Sequence, residues 1–380
     1  MASIVYIDPQ SYNNLSLYDR GMLSAMNRED VVLFGSTQWD CDAPNADLKK
    51  WFNYNNKNNP VSKGLSYLST ILRIASYIRK HKEICVVHIQ WLRLWKVDIL
   101  FARWLKNRGI KVVFTAHNLL PHDSGDTQRE KYRIYYKTVD KICVHTAITK
   151  KELIDQFEID SDKVEVIPHG IIYSDVPEDT IIYRAESLKK KYEISPKTLV
   201  ISSLGIQSYY KGIDILIDLW SEEKELNANP DVKLMIVGKN SNLDYTPLEG
   251  IGNVVIVNER ISNEDFQAYL EISDVILLPY RKISQSGMLF SAIARNKPVV
   301  ISNIGGLPDP LDIGKVGWNI GIADKTSLSK ILKDFAQQPH MVKALQNNNS
   351  EFQKVKDYYS WESISMKLKS LYEGLINRSV

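Results

Sequence analysis

The sequence predicts an α/β protein made of two doubly wound, Rossmann-like halves. Three observations carry that reading. Short, continuously apolar runs alternate with amphipathic stretches from end to end, and such strands separated by helices are typical of a parallel sheet covered on both faces. The alternation occurs as two series, parted by the charged, turn-rich stretch 173–197 with Pro177 and Pro196. The polar, glycine-bearing segments fall just after strands, where open α/β sheets bind their ligands. The expected division is a first domain over 1–172, a link over 173–197, a second domain over 198–357, and a helix over 358–380 returning to the first domain. A ligand cleft is expected between the two sets of strand ends.

In the first half the strand-like runs are Ile4–Ile7, Val31–Phe34, Ile84–Ile89, Val112–Thr115, Lys141–Val144 and Val164–Ile167. Helical patterns lie between them at Leu15–Met26, Leu65–Arg79, Leu94–Lys106, Arg129–Lys137 and Lys150–Gln156. Thr149 with Glu152 three residues on resembles a capping box before the last of these. The second series has strands at Leu199–Ser203, Leu234–Val237, Val254–Val257, Val275–Leu278 and Pro298–Ile301. Its helices are Ile213–Trp220, Asn263–Ile272, Met288–Ala294, Ser327–Ala336 and Met341–Val355, with Ser262 and Asp265 as a second capping pair. An amphipathic helix, Trp361–Ile376, follows. The run NYNNKNNP at 53–60 reads as an exposed loop.

Composition narrows the class. The apolar fraction is 44% and the charged fraction 24%, as in ordinary globular domains. The three cysteines, Cys41, Cys85 and Cys143, have no metal or redox spacing, and reduced thiols are expected. No apolar run approaches the roughly 18 residues of a membrane helix. The opening MASIVYID goes directly into a strand with no basic stretch before an apolar one, so a cytoplasmic protein is expected. Charge is unevenly placed: residues 49–111 hold 14 Lys and Arg against two acids, Glu83 and Asp98. That asymmetry points to an anionic surface as partner.

Four segments could carry chemistry. Residues 274–309, DVILLPYRKISQSGMLFSAIARNKPVVISNIGGLPD, read strand, polar loop, helix, strand, glycine loop. A helix opening at such a loop presents unpaired N–H groups and a positive dipole end, suited to an anionic or hydroxyl-rich ligand. Residues 204–214, LGIQSYYKGID, follow the first strand of the second half. There Gly205 permits close backbone approach, and Lys211 at a helix start can hold a diphosphate. Residues 113–123, VFTAHNLLPHD, place His117 just after a strand, where it could donate to a sugar hydroxyl or a developing charge. His117 and His122, five apart, are not a one-face helical pair, so no metal site is expected. The turn Ile167-Pro168-His169-Gly170 closes the first half.

These segments resemble the retaining glycosyltransferases of family 4, which have the GT-B fold, in the branch that reads Pro-Tyr-Arg…Gln-Ser-Gly. The resemblance spans nearly the whole chain and is strongest over 199–309 and 359–376. It implies sugar transfer from a nucleotide diphosphate sugar to a glycan or polyprenyl-diphosphate-linked acceptor in bacterial surface polysaccharide synthesis, with no metal or other cofactor. It implies donor binding by Gly205, Lys211, Gly238, Arg260, Arg281, Gln285, Ser286, Gly287, Met288 and Ser291. His117, Lys211 and Gln285 would act in catalysis. Asn13, Asn14, His122, Asp123 and His169 would face the acceptor.

The sequence departs from the family in four places, one of them the N-terminal loop Pro9–Leu15, which has Asn13-Asn14 instead of the usual Gly-Gly. No arginine stands between Gly205 and Lys211, and Arg281 is the candidate substitute. Neither of the family's two glutamates is present, Ser291 standing at the second. His169 replaces the usual asparagine. Two alternatives stay open: a non-transferring enzyme of this fold, such as a nucleotide-sugar epimerase, and an inactive scaffold in a glycan-assembly complex.

The basic segment interleaves Trp91, Arg93, Trp95, Lys96, Arg103, Trp104, Lys106 and Arg108. Tryptophans at headgroup level with cations on anionic lipid would suit peripheral attachment at the inner membrane. Nucleic acid is not expected, because no recognition motif accompanies the charge.

Overall fold

The computed structural model describes residues 3–12, 14–120 and 125–377. The chain forms two compact units, 1–170 together with 359–380, and 171–358. Each is built on one parallel sheet.

The first unit holds β1 (Ile4–Ile7), β2 (Val31–Ser36), β3 (Asp47–Phe52), β4 (Val86–Ile89), β5 (Lys111–Thr115), β6 (Lys141–Val144) and β7 (Val164–Val166), in the order β3-β2-β1-β4-β5-β6-β7. The second holds β8 (Leu199–Leu204), β9 (Val232–Val237), β10 (Val254–Val257), β11 (Val275–Leu278), β12 (Val299–Ser302) and β13 (Gly317–Ile320), in the order β10-β9-β8-β11-β12-β13. All pairings are parallel. The central strands are fully buried, as sheets covered by helices on both faces require.

Two strands escaped the sequence reading, β3 and β13. Both lie at a sheet edge. An edge strand has one neighbour and keeps an exposed flank, so it needs no continuous apolar run. DLKKWF and GWNI accordingly read as polar loop. The segment expected as a link, 173–197, contains the helix Glu178–Lys191, which packs on the helix Asn263–Ile272 within the second unit. Its Arg184 pairs with Glu264 and with Asp265 at 2.7 Å.

Capping explains the remaining boundaries. Ser262 caps its helix as expected, accepting from the Asp265 amide at 3.0 Å. The cap of the helix Ala147–Phe157 is Thr146 rather than Thr149: the Thr146 hydroxyl accepts from the Thr149 amide. The helix expected over Met341–Val355 is two, Pro339–Gln346 and Asn349–Tyr358. They part at Asn347-Asn348, whose short polar side chains compete with the backbone for hydrogen bonds.

The terminal helix Trp361–Asn377 belongs to the first unit and packs on Asn14–Met26. Two glycines make room for Trp361. A Cβ at Gly21 or Gly170 would come within 2.4 or 2.5 Å of the indole ring. Tyr372 carries a buried polar anchor, its hydroxyl 2.6 Å from His88 Nδ1.

Candidate functional site

Each unit gathers polar residues at the carboxyl ends of its strands. In the second unit the cluster is built from the loops after β8 and β11. Gly205 follows β8 with φ +95, and its missing Cβ leaves open space bounded only by Lys211 Nζ at 3.5 Å. Gln207, fully buried, pins that loop by donating to Gly205 O at 2.6 Å and Val237 O at 2.9 Å. Gly238, after β9, packs so closely on Gly205 that a Cβ there would lie 2.1 Å from the Gly205 carbonyl. The turn Tyr209–Lys211 ends at Gly212 (φ +71), where a Cβ would meet Pro279 O at 2.0 Å. The loop after β11 is thereby docked on this turn, and the Arg281 amide donates to Tyr210 O at 2.8 Å.

Lys211 is the electrostatic centre of this cluster. Its ammonium lies 5.7 Å from the Tyr280 ring centroid and makes no hydrogen bond or ion pair with any described residue. Burial pushes its pKa down to about 8. Arg281 is differently placed. It forms a two-pronged pair with Asp214 at 2.6 and 2.7 Å, donates to Tyr209 O at 2.8 Å, and lies over the Tyr209 ring. Asp214 raises the guanidinium pKa, and that charge is neutralised within the unit.

The helix Gly287–Ala294 starts beside these loops. Ser286 is its N-cap but makes no side-chain cap bond, and the first turn holds no acid. Its leading N–H groups therefore keep their capacity for a ligand. Gln285 Oε1, just before it, is buried without a partner. The Ser208 hydroxyl is likewise buried and unpartnered. Gly287 is exposed, Met288 half-buried, and Ser291 lies one turn further along the helix. Arg260 is exposed and shares in none of these contacts.

The first unit's cluster is dominated by aromatic rings. Gln90 follows β4, His117 β5, His145 β6 and His169 β7. His117 Nε2 lies 3.0 Å from Gln90 Oε1, and His117 Nδ1 lies 3.1 Å from His145 Nε2. His145 Nδ1 is 2.9 Å from the Ile167 carbonyl. Trp91 stacks on His117 with centroids 4.5 Å apart, and Tyr18 touches His117, His145 and His169 edge-on or tilted. Burial holds all three imidazoles neutral: His117 is well below its usual range, His145 is lowered to about 4 and His169 to about 3. Asp8, at the end of β1, is buried and pushed up to about 7.

Two family models match consecutive stretches of this chain. The description "Glycosyltransferase Family 4" matches residues 25–174, and "Glycosyl transferases group 1" matches 184–352. The chain belongs to the glycosyltransferases and has the GT-B fold. This glycosyltransferase is 21% identical over 300 residues to the MMP alpha-(1->4)-mannosyltransferase of Mycolicibacterium hassiacum, across 78% of this chain and 66% of that protein. Among solved structures it resembles the sucrose-phosphate synthase of Thermosynechococcus elongatus, with TM-score 0.71, 16% identity and both chains covered in full. It also resembles Anabaena HepE in complex with UDP-glucose, with TM-score 0.69, 13% identity, 98% of this chain and 99% of that one.

The structure thus brings Gly205, Lys211, Gly238 and Arg281 of the glycosyltransferase together through the loops after β8, β9 and β11, with Gln285, Ser286 and Gly287 where the last of these loops enters its helix and Met288 and Ser291 on that helix, and leaves Arg260 outside those contacts. His117 and His169 share the first unit's cluster. Asn13, His122 and Asp123 lie outside the described residues, as does the side chain of Asn14. Sequence reasoning missed Gln90, His145, Asp8 and Asp214. The first three each end a strand, and reading every strand end for polar residues would have found them. Asp214 carries no such signal, because its partner Arg281 is remote in sequence. Among the described residues no group of three His, Cys, Asp or Glu side chains is placed to hold a metal ion.

Proposed function

We propose that the protein is a retaining, metal-independent glycosyltransferase that moves a sugar from a nucleotide diphosphate sugar to a glycan or polyprenyl-diphosphate-linked acceptor, in bacterial surface polysaccharide synthesis. The observation that carries this reading is Lys211: a largely buried cation with no acid paired to it among the described residues, beside a glycine whose Cβ space is empty. Burying an unpaired charge is costly, and an anionic ligand would offset that cost. A departing diphosphate fits, held by Lys211 and by the amides opening Gly287–Ala294. Gln285 and Ser286 would receive sugar hydroxyls, and Gly205 and Gly238 let the backbone come close. Transfer would replace the bond from the sugar's anomeric carbon to the diphosphate with one to the acceptor oxygen, on the same face. The mannosyltransferase relative and the UDP-glucose complex of HepE support the donor class.

The acceptor's lipid link is supported by the surface of the first unit. The helix Pro60–Lys80 exposes Val61, Leu65, Leu68 and Leu72, the first, second and fourth each more than 60% open. Their spacing of four, three and four residues keeps them on one face. Leu100 of the neighbouring helix Trp95–Lys106 is also exposed. The tryptophans are placed differently from the sequence expectation. Trp51, Trp95 and Trp104 pack partly buried against the core, with Arg73 over Trp51 and Arg108 over Trp104. An aliphatic stripe among Lys63, Arg73, Arg79 and Lys80 suits the surface of an anionic bilayer. No described helix is long and apolar enough to cross a membrane.

A thermal-shift panel of UDP, GDP, ADP and their sugars tests the donor reading. A ligand at 100 times its Kd adds about 2.7 kcal/mol to apparent stability. One base should stand out, and Lys211→Ala should remove its shift. No shift with any nucleotide would overturn the proposal.

A further inference from the structure

We infer that the relay Ile167–His145–His117–Gln90 holds His117 as a neutral imidazole protonated on Nδ1, with Nε2 an acceptor that the Gln90 amide engages, and that His145 and Gln90 are its positioning residues. The inference rests on the reading that the first unit's strand ends handle a sugar. It reverses the donor role expected for His117 from sequence.

One partner in the relay cannot change its role. The Ile167 carbonyl only accepts, so His145 Nδ1, 2.9 Å away, must carry a hydrogen. A neutral His145 then has a lone pair on Nε2. That lone pair faces His117 Nδ1 at 3.1 Å, so Nδ1 must be the donor there. In neutral His117 the remaining nitrogen, Nε2, is left as an acceptor. The opposite tautomers would set two lone pairs against each other at Ile167, inside a fully packed cluster.

Gln90 completes the relay. Its Oε1 stands 3.0 Å from His117 Nε2 while its Nε2 is buried without a partner, and the residue has no exposed surface. The oxygen and nitrogen of an amide are nearly isosteric, so hydrogen bonding decides which of them faces His117. A half-turn of the amide places Nε2–H on the His117 lone pair and removes the orphaned donor. An under-satisfied carbonyl oxygen is the cheaper defect. The alternative keeps Gln90 as placed and protonates His117 on both nitrogens. That puts an imidazolium against the rings of His145 and Trp91, with Tyr18 and His169 beside them. Among the described residues the charges that act on His117 are those of His145, His169 and His88, and burial together with these histidines drives its pKa down.

The chemical consequence is directional. A hydroxyl that displaces the Gln90 amide must donate to His117 Nε2. His117 then orients a hydroxyl proton and does not supply one.

Selective 15N-histidine labelling of the full chain, read by long-range 1H–15N correlation at pH 7, tests this without substrate. His117→Gln and His145→Gln spectra assign the two signals. A pyrrole-type Nδ1 and a pyridine-type Nε2 are expected for both residues. A proton on His117 Nε2 in the wild-type protein would overturn the inference, whatever the enzyme's activity. Gln90→Glu sharpens the test. A carboxylate cannot donate, so it should convert His117 to the imidazolium; an unchanged tautomer would also sink the relay. His145→Gln can still donate to Ile167 and accept from His117, and should keep transfer within about threefold, while His145→Leu should lose tenfold or more in kcat and free the His117 tautomer. Equal losses in both would reduce His145 to packing. The spectra report the tautomer even if no sugar is transferred, so the two readings can fail separately.

Discussion

The two strand-end clusters are built on opposite principles. In the first unit each ring nitrogen of His117 and His145 already faces a partner, and the rings pack against one another. In the second unit the polar groups are left open: among the described residues Lys211 lacks an acid, Gln285 Oε1 and the Ser208 hydroxyl lack partners, and the helix Gly287–Ala294 lacks a side-chain cap. Folding alone would not retain a set of unsatisfied groups, since each costs free energy when buried. Such a set marks where a ligand completes the structure. A pair of imidazoles with every ring nitrogen engaged marks where something is held in one geometry, even though Gln90 Nε2 and Trp91 Nε1 beside it are buried without a partner. On the proposed function, the second unit's open groups would receive the donor, and the first unit's imidazoles would be held in one geometry.

The largest effect expected from this contrast is at Lys211. Removing this open cation with Lys211→Ala should lower kcat/KM for the nucleotide sugar by about 10²- to 10³-fold, the range for losing a preorganised charge-stabilising donor. The same substitution at His117 should cost less, because its nitrogens are already engaged. Steady-state kinetics with the donor found by thermal shift would decide. A Lys211→Ala enzyme within tenfold of wild type would break the contrast.

The next effect concerns a surface rather than a cluster. Replacing Leu65 and Leu72 together with Ser should reduce partition onto anionic phosphatidylglycerol vesicles by about tenfold or more, on the scale of burying two leucine side chains part-way. Phosphatidylcholine vesicles should bind weakly in either case. Flotation assays measure this. Equal flotation of both proteins on anionic vesicles would remove the stripe as the docking element.

How much of this was legible in the sequence follows from the same physics. Central strands announce themselves because both faces are buried, and the buried strands β1, β4, β8 and β11 were all found. β3 and β13 were not, because an edge strand needs only one apolar side. Gly205, Lys211 and Gln285 were legible because local pattern places them at strand and helix ends. The fate of Arg281 was not. Whether a guanidinium is open or taken depends on Asp214, 67 residues away, and no local rule links the two. The tryptophans of the basic segment misled for a related reason: composition tells that rings and cations are present, while only packing tells which side of a helix faces the core.

Arg281 offers a smaller and more discriminating test. From sequence it stood in for a missing diphosphate contact. In the structure it clamps the Tyr209–Lys211 turn through Asp214 and the Tyr209 carbonyl. As a positioning residue it should raise donor KM about five- to tenfold on Arg281→Ala, with Asp214→Asn close behind, because either change loosens the turn that carries Lys211. If Arg281 instead touches the diphosphate, Arg281→Ala should match Lys211→Ala in severity while Asp214→Asn leaves KM unchanged or lowers it.

The smallest effect is on stability, and its sign is opposite to that on activity. Lys211 has a folded-state pKa near 8 against an ordinary 10.5. Below pH 8 both folded and unfolded chains carry the proton, and the full cost of burying the charge is present. Between pH 8 and 10.5 the folded chain gives up its proton first, the unfolded chain binds more, and stability rises with pH. Lys211→Met, which fills similar space without charge, should therefore make the ligand-free protein more stable at pH 7 by about 2 kcal/mol. The gain should shrink as pH climbs through that window. Denaturant melts at pH 7 and pH 10 would show it. Saturating nucleotide diphosphate should reverse the ranking at pH 7, because only the lysine enzyme gains from the ligand's charge. A variant less stable than wild type in the absence of ligand would mean that Lys211 already has its counter-charge, and that the second unit's cluster is as closed as the first.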